Sequence, residues 1–245
     1  MQLNTFSIVA RCERTGRLGG AVSTAVPAVG AICPFVLPGV GAVASQSWAN
    51  PYLALDALTL LAKGATAQSA LDQVLAGDDA RGLRQVGLVD DAGRAAAWTG
   101  GDCTSWCGHR TGPDYAVQGN MLMGEAVVAG MEAAFLDAGD SGLEERLMRA
   151  LEAGQAAGGD KRGKQSAALK IYEHEAYPWL DLRVDEHPAP VAELRRVLGV
   201  ATLQFRPFVD AMPTRAGVAT AMPDAVTAML ALSPPQRPGG GGSGP

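Results

Sequence analysis

Short strands and pairs of helices follow one another along this 245-residue chain. Near-alternating β-branched and aromatic residues predict a strand at Thr5–Arg11, and a polar turn around Gly16 predicts that residues 18–26 return beside it as a hairpin. The same criteria predict strands at 39–47, 85–89, 94–98, 115–122, 166–172 and 179–185, and helices at 53–63, 66–75, 125–136, 143–156 and 190–208. Because hairpins alternate with paired helices, this order predicts an α+β fold of antiparallel sheets covered by helical layers, not an alternating βαβ fold.

The composition is that of a globular protein with a substantial core, since 47% of the residues are hydrophobic and 18% are charged. A net charge of −5 and a pI near 5.2 argue against a nucleic-acid-binding protein, which needs a basic face. One domain is predicted over residues 1–211, including the last helix, followed by a C-terminal extension over residues 212–245. The residues from 234 onward are rich in Gly and Pro, which predicts a disordered tail.

No charged residue occurs from Leu18 to Leu55, which raises the question of a membrane span. Four prolines and several glycines interrupt this stretch, and such residues favour buried strands and turns over a spanning helix. The N-terminal residues lack the basic and apolar regions of a signal peptide. We therefore expect no membrane partner, a cytoplasmic location, and four cysteines in the reduced state.

Residues 154–169 combine glycines, one carboxylate and three cations. Gly158, Gly163 and Lys164 match the phosphate-loop spacing G-x-x-x-x-G-K, but Gln165 stands where that motif needs Ser or Thr to reach Mg²⁺. The segment also lies between a predicted helix and a following strand, whereas a phosphate loop runs from strand to helix. The sequence therefore argues against a nucleotide site here.

Thr5 heads the first predicted strand. A structural role is enough to explain it, because β-branched residues favour strands. A catalytic role requires removal of residues 1–4. The freed α-amine, with a reference pKa of about 7.7–8, then acts as the base for the hydroxyl of the same residue.

Cys103, Cys107 and His109 form a C-x-x-x-C-x-H pattern that is able to hold Zn²⁺ with one position open for water. The spacing is not that of a standard zinc finger, so loop cysteines with a structural histidine are the alternative.

Two polar, glycine-bearing segments lie beside predicted strands, at residues 109–112 and 118–120. In a pocket, Arg110 would bind a carboxylate through its forked guanidinium, and the amides of Gln118 and Asn120 would hydrogen-bond a polar substrate. The same residues are also ordinary components of turns.

Six segments carry a resemblance to a known family: residues 5–11, 27–30, 46–51, 108–112, 118–120 and 154–166. Together they resemble a bacterial family labelled as a domain of unknown function and grouped with the N-terminal nucleophile (Ntn) hydrolases. The resemblance covers about residues 5–198. It implies a four-layer αββα sandwich of two mainly antiparallel sheets, and amide-bond hydrolysis by an N-terminal Thr, Ser or Cys without a cofactor.

The resemblance also implies roles for individual residues. Thr5 would be the nucleophile, Ser23 would lie within reach of its amine, and Asp160 and Lys164 would orient the amine and the substrate. The predicted substrate-binding residues are Thr24, Gln46, Asn50, His109, Arg110, Gln118, Asn120 and Gln165.

The chain departs from the Ntn pattern in two respects. Four residues precede Thr5, and no lysine occurs before Lys63, although proteasome-like members place one on an early strand. Either Lys161, Arg162 or Lys164 supplies the cation, or the mechanism has been lost.

The leading hypothesis from the sequence is hydrolysis of an amide or imide bond in a small polar metabolite. The alternatives are a non-catalytic small-molecule-binding protein on the same scaffold and a zinc hydrolase that uses the Cys-Cys-His pattern. The apolar composition favours a homodimer, and we expect no nucleic-acid partner.

Overall fold

A computed structural model of the chain describes residues 2–3, 5–217 and 221–244. The strands are β1 (Gln2–Leu3), β2 (Thr5–Arg11), β3 (Leu18–Thr24), β4 (Phe35–Leu37), β5 (Gly41–Trp48), β6 (Arg84–Asp90), β7 (Ala95–Thr99), β8 (Gly108–Gly112), β9 (Tyr115–Gly119), β10 (Ser166–Tyr172) and β11 (Leu180–Val184). The helices are α1 (Pro51–Ala62), α2 (Ala67–Ala76), α3 (Glu125–Asp137), α4 (Leu143–Ala156), α5 (Pro190–Gln204), α6 (Arg206–Val209) and α7 (Asp224–Ala231).

The strands form two antiparallel sheets. The five-stranded sheet has the order β1-β5-β6-β7, with β4 also paired to β5. The six-stranded sheet has the order β11-β10-β3-β2-β9-β8. The predicted hairpins 5–11/18–26 and 85–89/94–98 therefore form, one in each sheet.

Alternation of side chains along β2 explains how the sheets stack. Phe6 and Ile8 pack into the core formed with α3, α4 and α5. Ser7 and Val9 face the other way, toward the five-stranded sheet, where Val9 joins a core between the sheets. Helices α1 and α2 cover the outer face of the five-stranded sheet. The α+β class and the four-layer αββα sandwich are thus confirmed.

Local signals in the sequence explain the bounds of the first helix pair. Asn50 is the N-cap of α1, since its side chain accepts a hydrogen bond from Tyr52 N at 3.1 Å. Thr66 is the N-cap of α2, because its Oγ1 accepts from Ser69 N at 3.2 Å. Gly64 follows the end of α1 with a φ of +93°, a conformation that favours glycine.

Three elements differ from the sequence prediction. The segment at 109–112, for which no strand was predicted, is part of strand β8 and pairs with β9. The last predicted helix is divided after Gln204, and Pro207 near the start of α6 has no N–H with which to continue the bonding of α5. The C-terminal extension contains α7, and near its end the carbonyls of Pro238 and Gly240 accept hydrogen bonds from Gln204 Nε2 at 2.9 and 2.8 Å.

No helix in the described part of the chain is both long and apolar enough to span a membrane.

Candidate active site

Thr5 lies at the first position of β2, with its side chain directed into the gap between the two sheets, because it alternates with the helix-facing Phe6. The residue is fully buried, and its Oγ1 has no hydrogen-bond partner among the described residues. Its carbonyl oxygen accepts from Asn120 N at 3.0 Å and from Gln46 Nε2 at 3.3 Å. The backbone of Thr5 is therefore fixed while its hydroxyl is left unpaired.

The backbone before Thr5 belongs to the opposite sheet. Strand β1 pairs with the end of β5, where Gln2 lies opposite Trp48 and Leu3 lies opposite Ser47. Thr5, two residues after Leu3, is paired with Thr24 in the six-stranded sheet. Gln2 and Leu3 thus belong to one sheet and Thr5 to the other.

A network of buried amides fills the gap beside Thr5. The contacts of Gln85 determine which atom of each amide donates and which accepts. Gln85 Nε2 donates to the carbonyl oxygens of Gly108 and Gly119, at 3.1 and 2.8 Å, and these atoms only accept. Gln85 Oε1 must therefore accept, and it does so from Gln46 Nε2 at 2.8 Å and Asn120 Nδ2 at 2.9 Å.

The network continues along β2 and β9. Ser7 Oγ donates to Gln46 Oε1 at 2.7 Å and accepts from Gln118 Nε2 at 2.6 Å. Each amide orientation is thus set by its neighbour, starting from the two carbonyls that hold Gln85. Hydrogen bonds within such a network reinforce one another and make the positions of the side chains well defined.

Two side-chain oxygen atoms at the ends of this network accept no hydrogen bond from the described residues. Gln118 Oε1 and Asn120 Oδ1 are buried and have no donor among the residues that the structure describes. Together with Thr5 Oγ1, they give the gap three unpaired polar atoms in residues that are fully buried. Buried polar groups are normally paired, so a cluster of exceptions requires an explanation.

His109 connects this network to the surface. Gln85 Nε2 donates to Thr99 Oγ1 at 2.9 Å, and Thr99 Oγ1 lies 2.8 Å from His109 Nδ1. The hydroxyl of Thr99 therefore links the Gln85 amide to the His109 ring. Desolvation of the His109 ring lowers its pKa, which favours the neutral form of the imidazole, although the residue as a whole is exposed.

Ser23 and Thr24 face opposite sides of the six-stranded sheet. Thr24 lies directly opposite Thr5 in the β2–β3 pair, shares its face and is fully buried. Ser23 lies opposite Phe6 on the helix-facing side, and its Oγ donates to the carbonyl of Ser166 at 3.2 Å. Of these two predicted site residues, only Thr24 faces the gap.

The glycine-rich segment crosses the same end of the six-stranded sheet. It follows α4 and precedes β10, which is the helix-first order that the sequence predicted. Gly159 O accepts from Met123 N at 3.0 Å, and Lys161 N donates to Met121 O at 3.0 Å. The segment is thus attached to the residues that directly follow Asn120.

Asp160 attaches the segment to the end of β3. Its side chain is fully buried, and Oδ2 accepts from Ala25 N at 3.3 Å, one residue after Thr24. The cation beside it is Arg162, whose Nη2 lies 2.8 Å from Oδ2. Asp160 therefore lies at the end of β3, beside Thr24, which pairs with Thr5.

Lys164 lies elsewhere. It is exposed and lines a groove with Gln155 of α4 and Val191 of α5. Lys161 donates its Nζ to the carbonyl of Ser105 at 3.1 Å. Of the three candidate cations, the structure places Arg162 against Asp160.

The other predicted binding residues have structural partners. Arg110 faces α3 and forms ion pairs with Glu125 and Glu132, both at 2.9 Å. Gln165 binds through its main chain, since its N–H donates to Thr24 O at 2.8 Å. Asn50 caps α1 and also donates to Asp78 Oδ2 at 3.1 Å. These contacts do not direct the three side chains into the gap.

The Cys-Cys-His pattern does not converge on one point. Cys103 Sγ donates to Arg84 O at 3.3 Å, and Cys107 Sγ donates to Cys103 O at 3.5 Å, while His109 bonds to Thr99. No group of three or more His, Cys, Asp or Glu residues within the described ranges is arranged to hold a metal ion.

Two members of the site were not predicted from the sequence: Ser7 and Gln85. Ser7 shares a strand face with Thr5, and that two-residue spacing was a usable signal. Gln85 comes from the other sheet, so no local pattern relates it to Thr5.

Comparisons with known proteins bear on the chain as a whole. A family model described as "Family of unknown function (DUF1028)" matches residues 5–194. The crystal structure of protein SPO2555 from Silicibacter pomeroyi, described with the same family model, is 30% identical, with a TM-score of 0.81. The match covers 90% of this chain and 100% of that one.

Two more distant structures were also found. Anbu (ancestral beta-subunit) from Yersinia bercovieri is 14% identical with a TM-score of 0.39, and an Anbu mutant from Hyphomicrobium is 14% identical with a TM-score of 0.37. Each match covers 82% of this chain and 96% of the other. Likeness at this level does not identify an activity.

No curated protein matched the chain. The family model covers most of the sequence and begins at the first residue of β2. The chain therefore belongs to the family of unknown function DUF1028.

Proposed function

We propose that this protein is an amide hydrolase whose nucleophile is the hydroxyl of Thr5, freed as an N-terminal residue when residues 1–4 are removed. One observation carries the proposal: Thr5 Oγ1 is buried without a partner among the described residues, at the end of the gap where the amide network meets the strand. An unpaired buried hydroxyl costs about 1–3 kcal/mol of stability. Such a cost is understandable where the hydroxyl serves a reaction.

The chemistry follows from the freed amine. The α-amine takes the hydroxyl proton as Thr5 Oγ1 attacks the carbonyl carbon of an amide. The C–N bond then breaks, the proton passes to the leaving amine, and the acyl group remains on Thr5 as an ester. Water hydrolyses this ester, which releases the acid and restores the free hydroxyl.

The amide network supplies donors for the oxyanion. Among the described residues, Gln118 Nε2 and Asn120 Nδ2 each donate one hydrogen bond, to Ser7 and Gln85 respectively, which leaves the second N–H of each amide as a candidate donor. Donors that are already in place stabilise developing negative charge without reorganisation. We assign the oxyanion to Asn120 first, because its backbone N–H already bonds to the Thr5 carbonyl.

The glycine-rich segment supports the position of Thr5 and its neighbours. Asp160 joins Ala25 to Arg162, and the adjoining backbone binds the residues after Asn120. We therefore assign an orienting role to Asp160 and Arg162 rather than to the exposed Lys164.

The decisive experiment is intact-mass analysis and N-terminal sequencing of protein expressed without an N-terminal tag. A chain that starts at Thr5 and hydrolyses a small amide or imide, together with an inactive Thr5→Ala variant, is the expected result. Thr66→Ala, which removes the cap of α2 on the outer layer, is the matched control and should leave both the N terminus and the turnover unchanged. A fully active chain that starts at Met1 would contradict the proposal.

A second function is favoured by the closed state of the gap. With residues 2–3 paired to β5, Thr5 is fully buried. A non-catalytic binding protein on this scaffold would keep its first four residues. It would show a rise in melting temperature with ligand but no turnover, which the same preparation can test.

A further inference from the structure

A cavity of about 460 Å³ is lined by helices α5 and α6 together with the C-terminal extension. Its apolar lining includes Val197 and Val200 of α5, Phe208 of α6 and Leu230 of α7. The volume lies within the range of small-molecule pockets, which measure about 300–1,000 Å³. None of the described residues that line it belongs to the amide network beside Thr5, so this cavity is a separate candidate site.

Helix α5 has two adjoining apolar faces, and only one of them is used by the core. Buried residues three and four positions apart form the core-facing stripe: Val191, Leu194, Leu198 and Ala201. Val197 and Val200 lie three residues apart on the neighbouring face, are only partly buried and line the cavity. The second face therefore supplies apolar surface beyond what the core covers.

Large apolar side chains around the cavity remain open to solvent. Phe205 and Leu230, which both line it, are exposed by 42% and 39%. Apolar surface that is gathered in a concave region and left uncovered is typical of a ligand or partner site. A ligand with an apolar part would remove this surface from water, which is favourable.

The C-terminal extension is bonded to α5 where it lines the cavity. Gln204 Nε2 donates to the carbonyls of Pro238 and Gly240. A Cβ atom built at Gly241 would lie 3.8 Å from the methyl groups of Val200, so the extension passes within van der Waals reach of α5. The cavity is thus a feature of the packed extension.

The charge of the lining is positive. Arg196 and Arg237 line the cavity, and no acidic residue does so within the described part of the chain. Arg196 forms an ion pair with Glu193 on the same helix. Arg237 forms no ion pair with any described residue, so its positive charge is not compensated there.

Arg237 is held in position and still has donors to offer. Its Nε donates to Leu232 O at 3.0 Å and its Nη2 to Leu230 O at 3.1 Å, at the end of α7 where helical carbonyls lack partners. A guanidinium carries five N–H donors in a fixed plane, so the remaining donors of Arg237 are able to bind an anion.

We propose that this cavity binds a small amphiphilic anion, a medium-chain carboxylate, whose alkyl chain packs on Val197, Val200 and Phe208 and whose carboxylate pairs with Arg237. Charge complementarity selects this occupant, because the apolar lining is bordered by cations alone. The site goes beyond the proposed function, since neither its residues nor its ligand depends on Thr5.

The test is calorimetric titration of the full chain with probes that differ in one property. Octanoate and octylammonium share a chain length and carry opposite charges, and butanoate has the charge of octanoate with a shorter chain. The protein has a formal net charge of −5, so non-specific attraction would favour octylammonium. We expect octanoate to bind at least about tenfold more tightly than octylammonium, because of the local arginines, and at least about tenfold more tightly than butanoate, because of the buried methylenes.

A charge variant and its control assign the carboxylate. Arg237→Gln should reduce the preference for octanoate over octylammonium at least about threefold, as expected for a solvent-accessible ion pair. Arg215→Gln is the matched control, because Arg215 is an exposed arginine of the same extension that does not line the cavity. This variant should keep the preference.

A second pair of variants assigns the alkyl chain. Leu230→Gln should reduce the preference for octanoate over butanoate, because it places a polar group in the apolar lining. Leu136→Gln, at a leucine exposed by 52% on α3, is the control and should leave that preference unchanged. All four substitutions lie at exposed or partly exposed positions, and the three probes on the unmodified protein decide the question even if one variant does not fold.

Three results would overturn the inference: no binding of octanoate, binding of octylammonium at least as tight as that of octanoate, or equal binding of octanoate and butanoate. Binding to vesicles that contain anionic phospholipid, without binding of octanoate, would also overturn it and indicate a membrane-contacting surface instead. None of these measurements depends on whether residues 1–4 are removed, so the inference and the proposed function fail or succeed separately.

Discussion

The side-chain oxygen of Gln118 lies over Gly87 of the opposite sheet, so closely that a Cβ atom at residue 87 would be 1.9 Å from it. Gly87 is in the middle of β6, between Val86 and Leu88, which face the outer helices. The six-stranded sheet contributes the Gln118 side chain to the gap, and the five-stranded sheet has a glycine opposite it, which leaves room for the amide. No other residue type fits at position 87 while Gln118 keeps this position.

Gly87→Ala is therefore expected to displace Gln118 and to lower the free energy of unfolding by about 2 kcal/mol, as overpacking in a close-packed interior does. Chemical denaturation measures this change. The double variant Gly87→Ala/Gln118→Ala should recover most of the loss caused by the glycine substitution, because the clash is removed. Additive effects of the two substitutions would show that the residues do not interact.

Thr5→Val is expected to increase the free energy of unfolding by about 1 kcal/mol while abolishing hydrolysis. Valine has nearly the shape of threonine, and it removes a buried hydroxyl that has no partner among the described residues. Thermal and chemical unfolding, carried out on chains with the same N terminus, provide the measurement.

Ser7→Ala is the matched control on the same face of β2. Its hydroxyl both donates to Gln46 and accepts from Gln118, so its loss should destabilise the protein by about 1–3 kcal/mol. If Thr5→Val destabilised the protein as much as Ser7→Ala, the hydroxyl of Thr5 would have a structural partner.

Asp160→Ala should lower the free energy of unfolding by about 2 kcal/mol, because it removes the buried carboxylate that accepts from Ala25 N–H and pairs with the Arg162 guanidinium. Lys164→Gln should change it by less than about 0.5 kcal/mol, since the side chain is exposed. Denaturation of both variants, with turnover measured in parallel, separates the roles of the two residues. A larger effect from Lys164→Gln would reverse the assignment.

The stability of the protein should fall at alkaline pH through Cys33. This thiol lies in the core between the sheets, and burial raises its pKa to about 12. The unfolded chain loses its thiol proton from about pH 8.5, whereas the folded chain holds it until about pH 12, so the unfolded state is favoured as the pH rises through this range.

The expected loss from this one group approaches about 1.4 kcal/mol per pH unit within that window, and none of it appears below about pH 8. Urea denaturation at a series of pH values measures it. Cys33→Ala should flatten the decline, whereas Cys107→Ala, at a more exposed thiol, should alter it less. An identical slope in Cys33→Ala and the unmodified protein would exclude this group as the cause.

Much of the fold was predictable because its signals are local. The alternation predicted a strand at Thr5–Arg11, which the structure confirms, and the cap at Thr66 and the glycine at residue 64 likewise depend on neighbours within a few residues. Strand β8 was missed because Gly108–Gly112 is polar and glycine-bearing, so it lacks the local composition of a strand. Its conformation depends instead on pairing with β9.

The candidate site was predictable only in part. Gln46, Gln118 and Asn120 were singled out, and the structure brings all three into the gap beside Thr5. Ser23 and Lys164 were singled out with equal reason, but strand alternation directs one toward the helices, and the other lies on an exposed groove.

The sequence by itself determined most strands and helices and the presence of a threonine at the head of a buried strand, because each follows from spacing along a single element; the two-sheet sandwich was what the family resemblance implied. Only the tertiary structure decided that the hydroxyl of this threonine lies beside amides from both sheets without a partner among the described residues, that Gln85 fixes the orientation of those amides, and that Gly87 leaves room for Gln118. The reason is physical: burial and hydrogen-bond pairing across a gap depend on which faces meet. Which faces contact each other depends on the packing of segments that are distant in the sequence, and no local pattern encodes it.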